Sequence, residues 1–411
     1  MKILILTPNY PRRGATMNGI FIHQQVKALQ RLGIECHVLL LHKWFPPFGL
    51  HKYHSYWHRG FIEKNSYFDE YEGVKIHAVP MFKRMPSVVF NESFFDRAVR
   101  SLVNYIKGNK EICNADWIYA HFLTDMGYIA VRAKEKLNIK VAAITRGDDV
   151  HAWPASNPAL IDNIRYCFTH ADLMLANNKR LAKDALEFAD TLRPEFGIVY
   201  NGINYCDFGK SMSVSEIEDI RNKYGLPLNK KILICVARNE YLKGWKELLE
   251  AIAENKDLLD GWLLLAITSN DKGRYSIDIE QTVKDLCIAS HVIVRDFMPF
   301  EEVKLLYKAT NAFILPSYNE GISNAVMEAM ASGLWVIATD VGGHSEIIEH
   351  CKSGYLIQPK SKDEILKSLT YLVANYDNER NKFAGEGYKA MEKLGNYDKN
   401  AQTLIAYLSA K

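Results

Sequence analysis

Four ionisable side chains stand where the second half of this chain passes from strand-like into helix-like patterns: Arg238, Lys243, Glu320 and Glu328. An arginine offers a planar fork of N–H donors and a lysine a point charge, a pairing that suits the oxygens of a diphosphate. The two carboxylates are suited to accept hydrogen bonds from hydroxyl groups. Between them lies Gly321, whose missing side chain lets backbone approach a ligand closely. A helix then starts near Ser323 or Asn324, and the unpaired N–H groups of a helix start favour an anion. A phosphate-bearing, hydroxyl-rich molecule such as an activated sugar matches that set. Taken singly, each residue has a plainer use. A glutamate near a helix start complements the dipole, loop cations are commonly just solvated, and Ala329, Ala331 and Ser332 permit close packing.

The elements that must hold these side chains follow from hydrophobic patterning. The pattern predicts a strand over 312–315, the loop with Glu320, a helix closing near Gly333, a strand over 335–338 and the turn Gly342-Gly343. Around the two cations it predicts a strand over 231–237 and a helix over 245–253. The first half begins with an apolar strand over 2–6, a loop carrying Gly14, Asn18 and Gly19, a helix over 20–32 and a strand over 35–41. This is a βαβ unit without the G-x-G-x-x-G of dinucleotide folds. Further strands are predicted over 74–79, 117–120, 139–144, 171–176, 197–200, 263–267, 292–294 and 354–357. Helices are predicted over 92–107, 124–137, 277–286, 300–308, 363–374, 379–393 and 397–409. His121 stands at the carboxyl end of a strand, where parallel sheets gather their ligands.

Composition narrows the class. The 411 residues suffice for two ordinary domains, and 48% hydrophobic with 24% charged residues is usual for a globular protein. A net charge of +3 is too small to argue for a nucleic-acid partner. No apolar run approaches the roughly 18 residues of a membrane span, and the start MKILILTPNYP lacks a cleavage pattern, so a cytoplasmic location is expected. Seven scattered cysteines without a C-x-x-C pair argue for reduced thiols and against a zinc site. The run 42–61 mixes Trp44, Phe45, Phe48, Tyr53, Tyr56, Trp57 and Phe61 with lysine, arginine and histidine and has no carboxylate. It reads either as a contact with an anionic inner membrane face or as a loop packed on its own domain.

The stretch 316–347, PSYNEGISNAVMEAMASGLWVIATDVGGHSEI, resembles the donor-binding signature of retaining glycosyltransferase family 4. The match covers Glu320, Gly321, Glu328, Ala329, Met330, Ala331, Gly333, Ala338, Thr339, Gly342, Gly343 and Glu346, while Trp335 stands where the family commonly has proline. Val236, Arg238, Lys243, Gly244 and Leu248 are similar to V-x-R-x-x-x-x-K-G-x-x-x-L; DWIYAHFLTDMG and NGINYCDF are similar to two further family motifs. In TRGDDVH, Gly147 and Asp149 match T-x-H-G-x-D, with Arg146 in place of the histidine.

The resemblance implies the B-type glycosyltransferase fold (GT-B): α/β, with two Rossmann-like doubly wound parallel-sheet domains facing across a cleft. The domains would be 1–203, on the acceptor side, and 204–390, binding the donor, with 391–411 a helical segment crossing back to the first. It implies metal-independent transfer, with retention, of a sugar from a nucleotide-diphosphate sugar to a hydroxyl of a saccharide or lipid-linked acceptor in surface polysaccharide synthesis. No cofactor, metal or nucleic acid is implied. Arg238 and Lys243 would hold the diphosphate, Glu328 the ribose hydroxyls, and Glu320 the sugar. Gly321 and the N–H groups of Ile322, Ser323 and Asn324 would complete the cradle, with Gly19 and His121 near the donor. Gly14, Asn18, Arg146 and Asp149 would lie on the acceptor side. A sugar-nucleotide epimerase on the same architecture is the alternative.

Overall fold

The apolar runs pair into two separate sheets. The computed structural model describes residues 1–44, 52, 55–81, 93–192, 194–209, 212–268 and 276–411, with the backbone alone at Tyr56 and Trp57. Residues 45–51, 53 and 54 of the run 42–61, and the side chains of Tyr56 and Trp57, therefore lie outside the described residues. One compact unit comprises Met1–Gly202 together with Tyr397–Lys411, and the other Ile203–Asn396.

In the first unit the strands are β1 (Lys2–Leu6), β2 (Glu35–Lys43), β3 (Glu70–Tyr71), β4 (Val74–Met81), β5 (Trp117–His121), β6 (Lys140–Thr145), β7 (Leu173–Ala176) and β8 (Phe196–Ile198). They lie in the order β3-β4-β2-β1-β5-β6-β7-β8. All pairings are parallel except β3 with β4, a two-residue antiparallel edge that the sequence pattern does not announce. The second unit has β9 (Lys231–Val236), β10 (Trp262–Thr268), β11 (Val292–Asp296), β12 (Ala312–Leu315), β13 (Trp335–Thr339) and β14 (Tyr355–Ile357). Their order is β11-β10-β9-β12-β13-β14, parallel throughout.

Each order reverses direction once. In the first sheet the chain runs outward from β1 through β2 to β4, then restarts at β5 on the other side of β1. In the second it runs outward from β9 to β11 and restarts at β12 beside β9. Loops leaving the two strands at such a reversal diverge to opposite faces and leave a crevice beyond their carboxyl ends. The β1 and β5 loops, and the β9 and β12 loops, are those places here.

Three expectations are corrected. The region 363–393 is one helix, Lys362–Leu394, because the polar run Asn375-Tyr376-Asp377-Asn378 is held in helix by packing. The Tyr376 ring stands edge-on to Trp262 at 5.1 Å, and Lys231 pairs with Asp377 at 2.7 Å, tertiary contacts that override a weak local preference. The boundary expected at 390/391 falls at 396/397 for the same reason. The helix Tyr397–Ser409 belongs to the first unit, where Ala401, Leu404 and Leu408 share a core with Ile22, Val26 and Leu29. Finally, the helix expected over 124–137 begins with a π-helical turn, Leu123–Gly127, before the α-helix Tyr128–Leu137. Among the described residues no helix is long and apolar enough to cross a membrane.

Candidate functional site

In the second unit, the β9 and β12 loops are locked together by glycines. Gly244 ends a short 3-10 turn, Tyr241–Lys243, at φ +71°, and starts the helix Trp245–Glu254. A Cβ there would lie 2.1 Å from the Pro316 carbonyl oxygen, so only glycine lets the two loops meet this closely. The Tyr318 N–H donates to the Leu242 carbonyl at 2.8 Å, completing the junction. It brings Lys243 to Glu320: Nζ lies 2.7 Å from Oε1, with side chains 15% and 14% exposed. The Ser317 hydroxyl donates to the same carboxylate oxygen at 2.8 Å. Behind Glu320 the turn after β13 presses in. Gly342, at φ +55°, would place a Cβ 2.0 Å from the Glu320 carbonyl oxygen, and the Gly343 N–H donates to the Gly321 carbonyl at 2.6 Å.

The anion cradle differs in detail from expectation. His344 is fully buried and its Nδ1 lies 2.8 Å from the Thr339 carbonyl, which only accepts, so Nδ1 carries the proton. Its Nε2 then accepts the Ser323 N–H at 3.3 Å. The Ser323 amide expected to face phosphate is thereby turned to the protein, and Ile322 is buried. Ser323 caps the helix Asn324–Ala331 without a side-chain hydrogen bond, so the donors left for a ligand come from the first helical turn, Asn324 onward.

Glu328 sits on that helix, partly buried, and burial pushes its carboxyl up to about 7 while the neighbouring Tyr307 hydroxyl draws it back. That hydroxyl is buried and has no hydrogen-bond partner among the described residues. Arg238 is not brought to Lys243 and Glu320 as a clamp. Its side chain is 66% exposed and pairs with Glu240 at 2.7 Å, while its carbonyl accepts from the Trp245 indole. A surface pair of this kind holds its arginine weakly. Trp335 has a packing reason to replace proline: its ring stacks on Phe383 at 3.8 Å. Beyond β10 and β11 a cavity of about 540 Å³ is lined by Asn239, Thr268, Ile277 and Val294, and the Thr268 hydroxyl is buried there without a partner among the described residues.

The first unit holds its own constellation at the β1 and β5 loops. Gly19 starts the helix Ile20–Arg31 at φ +65°, and a Cβ would lie 2.4 Å from the Asn9 carbonyl oxygen. Gly14, at φ +79°, has open space around it, and the Asn18 amide, with its oxygen turned to Arg12, accepts from Nε and Nη2 at 3.1 Å. His121 closes β5 fully buried. Phe122 follows at φ +73° and the π-turn after it, a strained backbone of the kind that clusters at functional sites.

Arg146 fixes the state of that histidine. Its Nε and Nη2 lie 3.2 and 3.0 Å from His121 Nδ1, and a guanidinium only donates, so Nδ1 accepts and the proton sits on Nε2. Burial first, and the guanidinium second, push the imidazole well below its usual range, so it is neutral. The Nε2–H is buried and has no partner among the described residues, which marks it as a donor awaiting an acceptor. Arg146 is held by Asn201 Oδ1 at 2.7 Å and Gln25 Oε1 at 3.0 Å, and lies over the Phe21 ring.

Asp149, expected on the acceptor side, is fully buried. Its carboxylate accepts from the Leu123, Arg146 and Gly147 N–H groups and the Thr145 hydroxyl, at 2.7 to 3.0 Å, so it ties the β5 and β6 loops together. Arg146 and Asp149 are thus occupied in shaping the loop that holds His121. Sequence reasoning missed Asp125, whose carboxyl burial pushes up to about 7, and also His344. His344 could have been found from its place directly after the Gly342-Gly343 turn.

Residues 216–390 match the family described as glycosyl transferases group 1. The chain is 26% identical over 419 residues to TuaC of Bacillus subtilis (strain 168), named as a putative teichuronic acid biosynthesis glycosyltransferase; the match covers 98% of this chain and 97% of TuaC. It is 25% identical over 383 residues to the N-acetyl-alpha-D-glucosaminyl L-malate synthase of Bacillus anthracis, covering 93% and 90%. Among solved structures, Anabaena Alr3699/HepE in complex with UDP shares the fold, with a TM-score of 0.75, 16% identity and full coverage of both chains.

Proposed function

We propose, for a chain that belongs to the group 1 glycosyl transferases, that it moves a sugar from a nucleoside-diphosphate sugar to a hydroxyl of a saccharide or lipid-linked acceptor, with retention at the anomeric carbon. The observation that carries the reading is the Lys243–Glu320 pair at the point where the second sheet reverses direction. As the bond between sugar and diphosphate breaks, negative charge grows on the departing phosphate and positive charge on the sugar. Lys243 meets the first, and Arg238, free to leave its surface pair, joins it. Glu320 orients the sugar hydroxyls, and the first turn of Asn324–Ala331 faces the phosphate with its N–H groups. Preorganised donors of this kind each contribute roughly 2.7–4 kcal/mol to the transition state. The two cations take the charge-neutralising part that a divalent metal takes in other transferases, and the reading assigns no cofactor.

His121, held in its tautomer by Arg146, offers its buried Nε2–H as a hydrogen-bond donor to a substrate oxygen. The UDP bound by HepE supports a nucleotide sugar as donor. The teichuronic acid biosynthesis for which TuaC is named supports surface polysaccharide synthesis as the setting, on the cytoplasmic side where sugar nucleotides are made. The test is a thermal-shift screen of the purified chain against nucleotide sugars, followed by transfer from the best binder to saccharide and lipid-linked acceptors. Anomeric configuration of the product by NMR decides retention. Release of an epimerised free sugar or nucleotide sugar without acceptor would replace transfer by the epimerase reading, and failure of every nucleotide sugar to bind would end both.

A further inference from the structure

The amino-terminal halves of β2 and β4 and the turn after the helix Phe94–Gly108 gather three metal-ligating side chains from distant parts of the chain. In the parallel register His37 lies opposite Lys75 and Leu39 opposite His77, so both histidines project from the same face of the sheet. The helix Phe94–Gly108 packs on that face, and the turn after it delivers Glu111. His37 Nδ1 and His77 Nε2 are 3.0 Å apart, and one ligand atom from each of His37, His77 and Glu111 falls within 4.8 Å of the others. Both imidazoles are buried and the carboxylate is partly exposed.

The outer nitrogens are engaged as they are in metal centres. His37 Nε2 lies 3.1 Å from Glu35 Oε1, and a carboxylate only accepts, so the proton of a neutral His37 sits on Nε2 and Nδ1 offers a lone pair inward. His77 Nδ1 faces the Tyr105 hydroxyl at 3.3 Å, which can accept its proton and free Nε2 in the same way. A carboxylate or hydroxyl behind each ligating imidazole is the usual outer support of a bound metal. The carboxylate of Glu111 is now paired with Lys75, which is 56% exposed, and a surface pair of this kind yields at little cost.

We propose that His37, His77 and Glu111 form a site for a first-row divalent metal ion of the zinc class, with water completing the coordination. Two imidazoles and a carboxylate are a borderline donor set that favours such ions over magnesium or calcium. The two histidines lie in the amino-terminal halves of their strands, whereas His121 and the β1 loop lie at carboxyl ends, so the ion is structural: it fastens β2 and β4 to the turn carrying Glu111. At metal–ligand distances of about 2.0–2.2 Å the ligand atoms of a tetrahedral shell stand roughly 3.4 Å apart, so the two imidazole nitrogens are already near their places and the Glu111 carboxylate must approach by up to roughly 1.5 Å.

The test uses the full chain, stripped of metal by chelation. Zinc is measured by equilibrium dialysis with elemental analysis, cobalt(II) by its visible d–d absorption, and the unfolding midpoint in both. The expected result is one equivalent of tightly held zinc, a cobalt spectrum of low-coordinate N/O type, and a midpoint raised by about 2 °C or more at saturation. His77→Gln and Glu111→Gln each weaken binding about 10-fold or more, the loss typical of damage to a metal's ligand environment. Lys75→Ala frees Glu111 and tightens it, a change of opposite sign that a merely structural role for these residues does not produce. Absence of stoichiometric zinc at micromolar free metal overturns the proposal. So does zinc binding that survives Glu111→Gln and ignores Lys75→Ala, since the ion is then held elsewhere. Should His77→Gln fail to fold, those two surface variants decide alone.

Discussion

Glu328→Gln separates what the donor site needs from what the empty protein tolerates. Burial lifts the Glu328 carboxyl from 4.5 to about 7. A carboxyl raised in the folded state favours its neutral form, so its contribution to stability is greatest at low pH. That contribution declines as pH climbs from the unfolded value through about 7 and is constant above. Each pH unit of displacement corresponds to about 1.4 kcal/mol, so the ionised carboxylate costs the empty protein on the order of 3 kcal/mol at most. Glutamine keeps the shape and carries no charge. The variant should therefore unfold later than the native chain at about pH 8, by a few degrees, and the difference should vanish towards about pH 4.5.

Binding should run the other way. Ribose hydroxyls that donate to Glu328 favour its charged form and return its carboxyl towards the ordinary range. A nucleotide sugar then releases a proton as it binds, close to one per site near pH 6 and about half near pH 7. Its affinity should rise about 10-fold between about pH 6 and pH 8 and then level. Both esterified phosphates are ionised throughout that range, so the donor adds no proton of its own. Calorimetry in paired buffers of different ionisation enthalpy reads the proton count directly. Glu328→Gln should abolish it and weaken binding at about pH 8 by roughly 10-fold or more, the loss of a charge-assisted hydrogen bond. Equal proton release from native and variant, or a pH-independent native affinity, would refute the assignment of Glu328 to the ribose.

Lys243→Ala should lower turnover by about 10²-fold or more, and lower stability by on the order of 3 kcal/mol because Glu320 loses its partner in a partly buried position. Adding Glu320→Gln should restore the denaturation midpoint but not the turnover; recovery of both would remove Lys243 from the chemistry. Gly244→Ala forces a Cβ against the Pro316 carbonyl at a left-handed backbone angle, so it should cost more than the roughly 1–2 kcal/mol of that strain alone and depress transfer, measured by denaturant unfolding and turnover together. Arg146→Gln removes the donor that holds His121 Nδ1, so ¹⁵N NMR of the ring should show loss of the single Nε2–H tautomer and an upward drift of its titration; an unchanged spectrum would free His121 from Arg146.

Patterning along the chain reaches only what neighbours in sequence decide. The strands of both sheets are continuous apolar runs, and the glycines at 19, 244 and 342 answer to local backbone angles, so both are readable. The polar break inside Lys362–Leu394 misleads because aromatic rings from other strands hold that turn in helix. Side-chain direction in a loop is decided by whatever arrives opposite, which is why spacing puts Arg238 beside Lys243 while the folded loop gives it to Glu240. The pair that does form, Lys243 with Glu320, joins residues 77 apart, and what sets them in one site beforehand is the family resemblance, not the patterning of either segment. They meet because β12 enters the sheet beside β9 instead of beyond β11. That single choice of neighbour turns two unremarkable strand-end loops into one site, and the metal ligands His37 and His77 depend in the same way on β4 choosing β2. Strand order is therefore the information that residue types alone withhold, and the chemistry of both sites is a consequence of it.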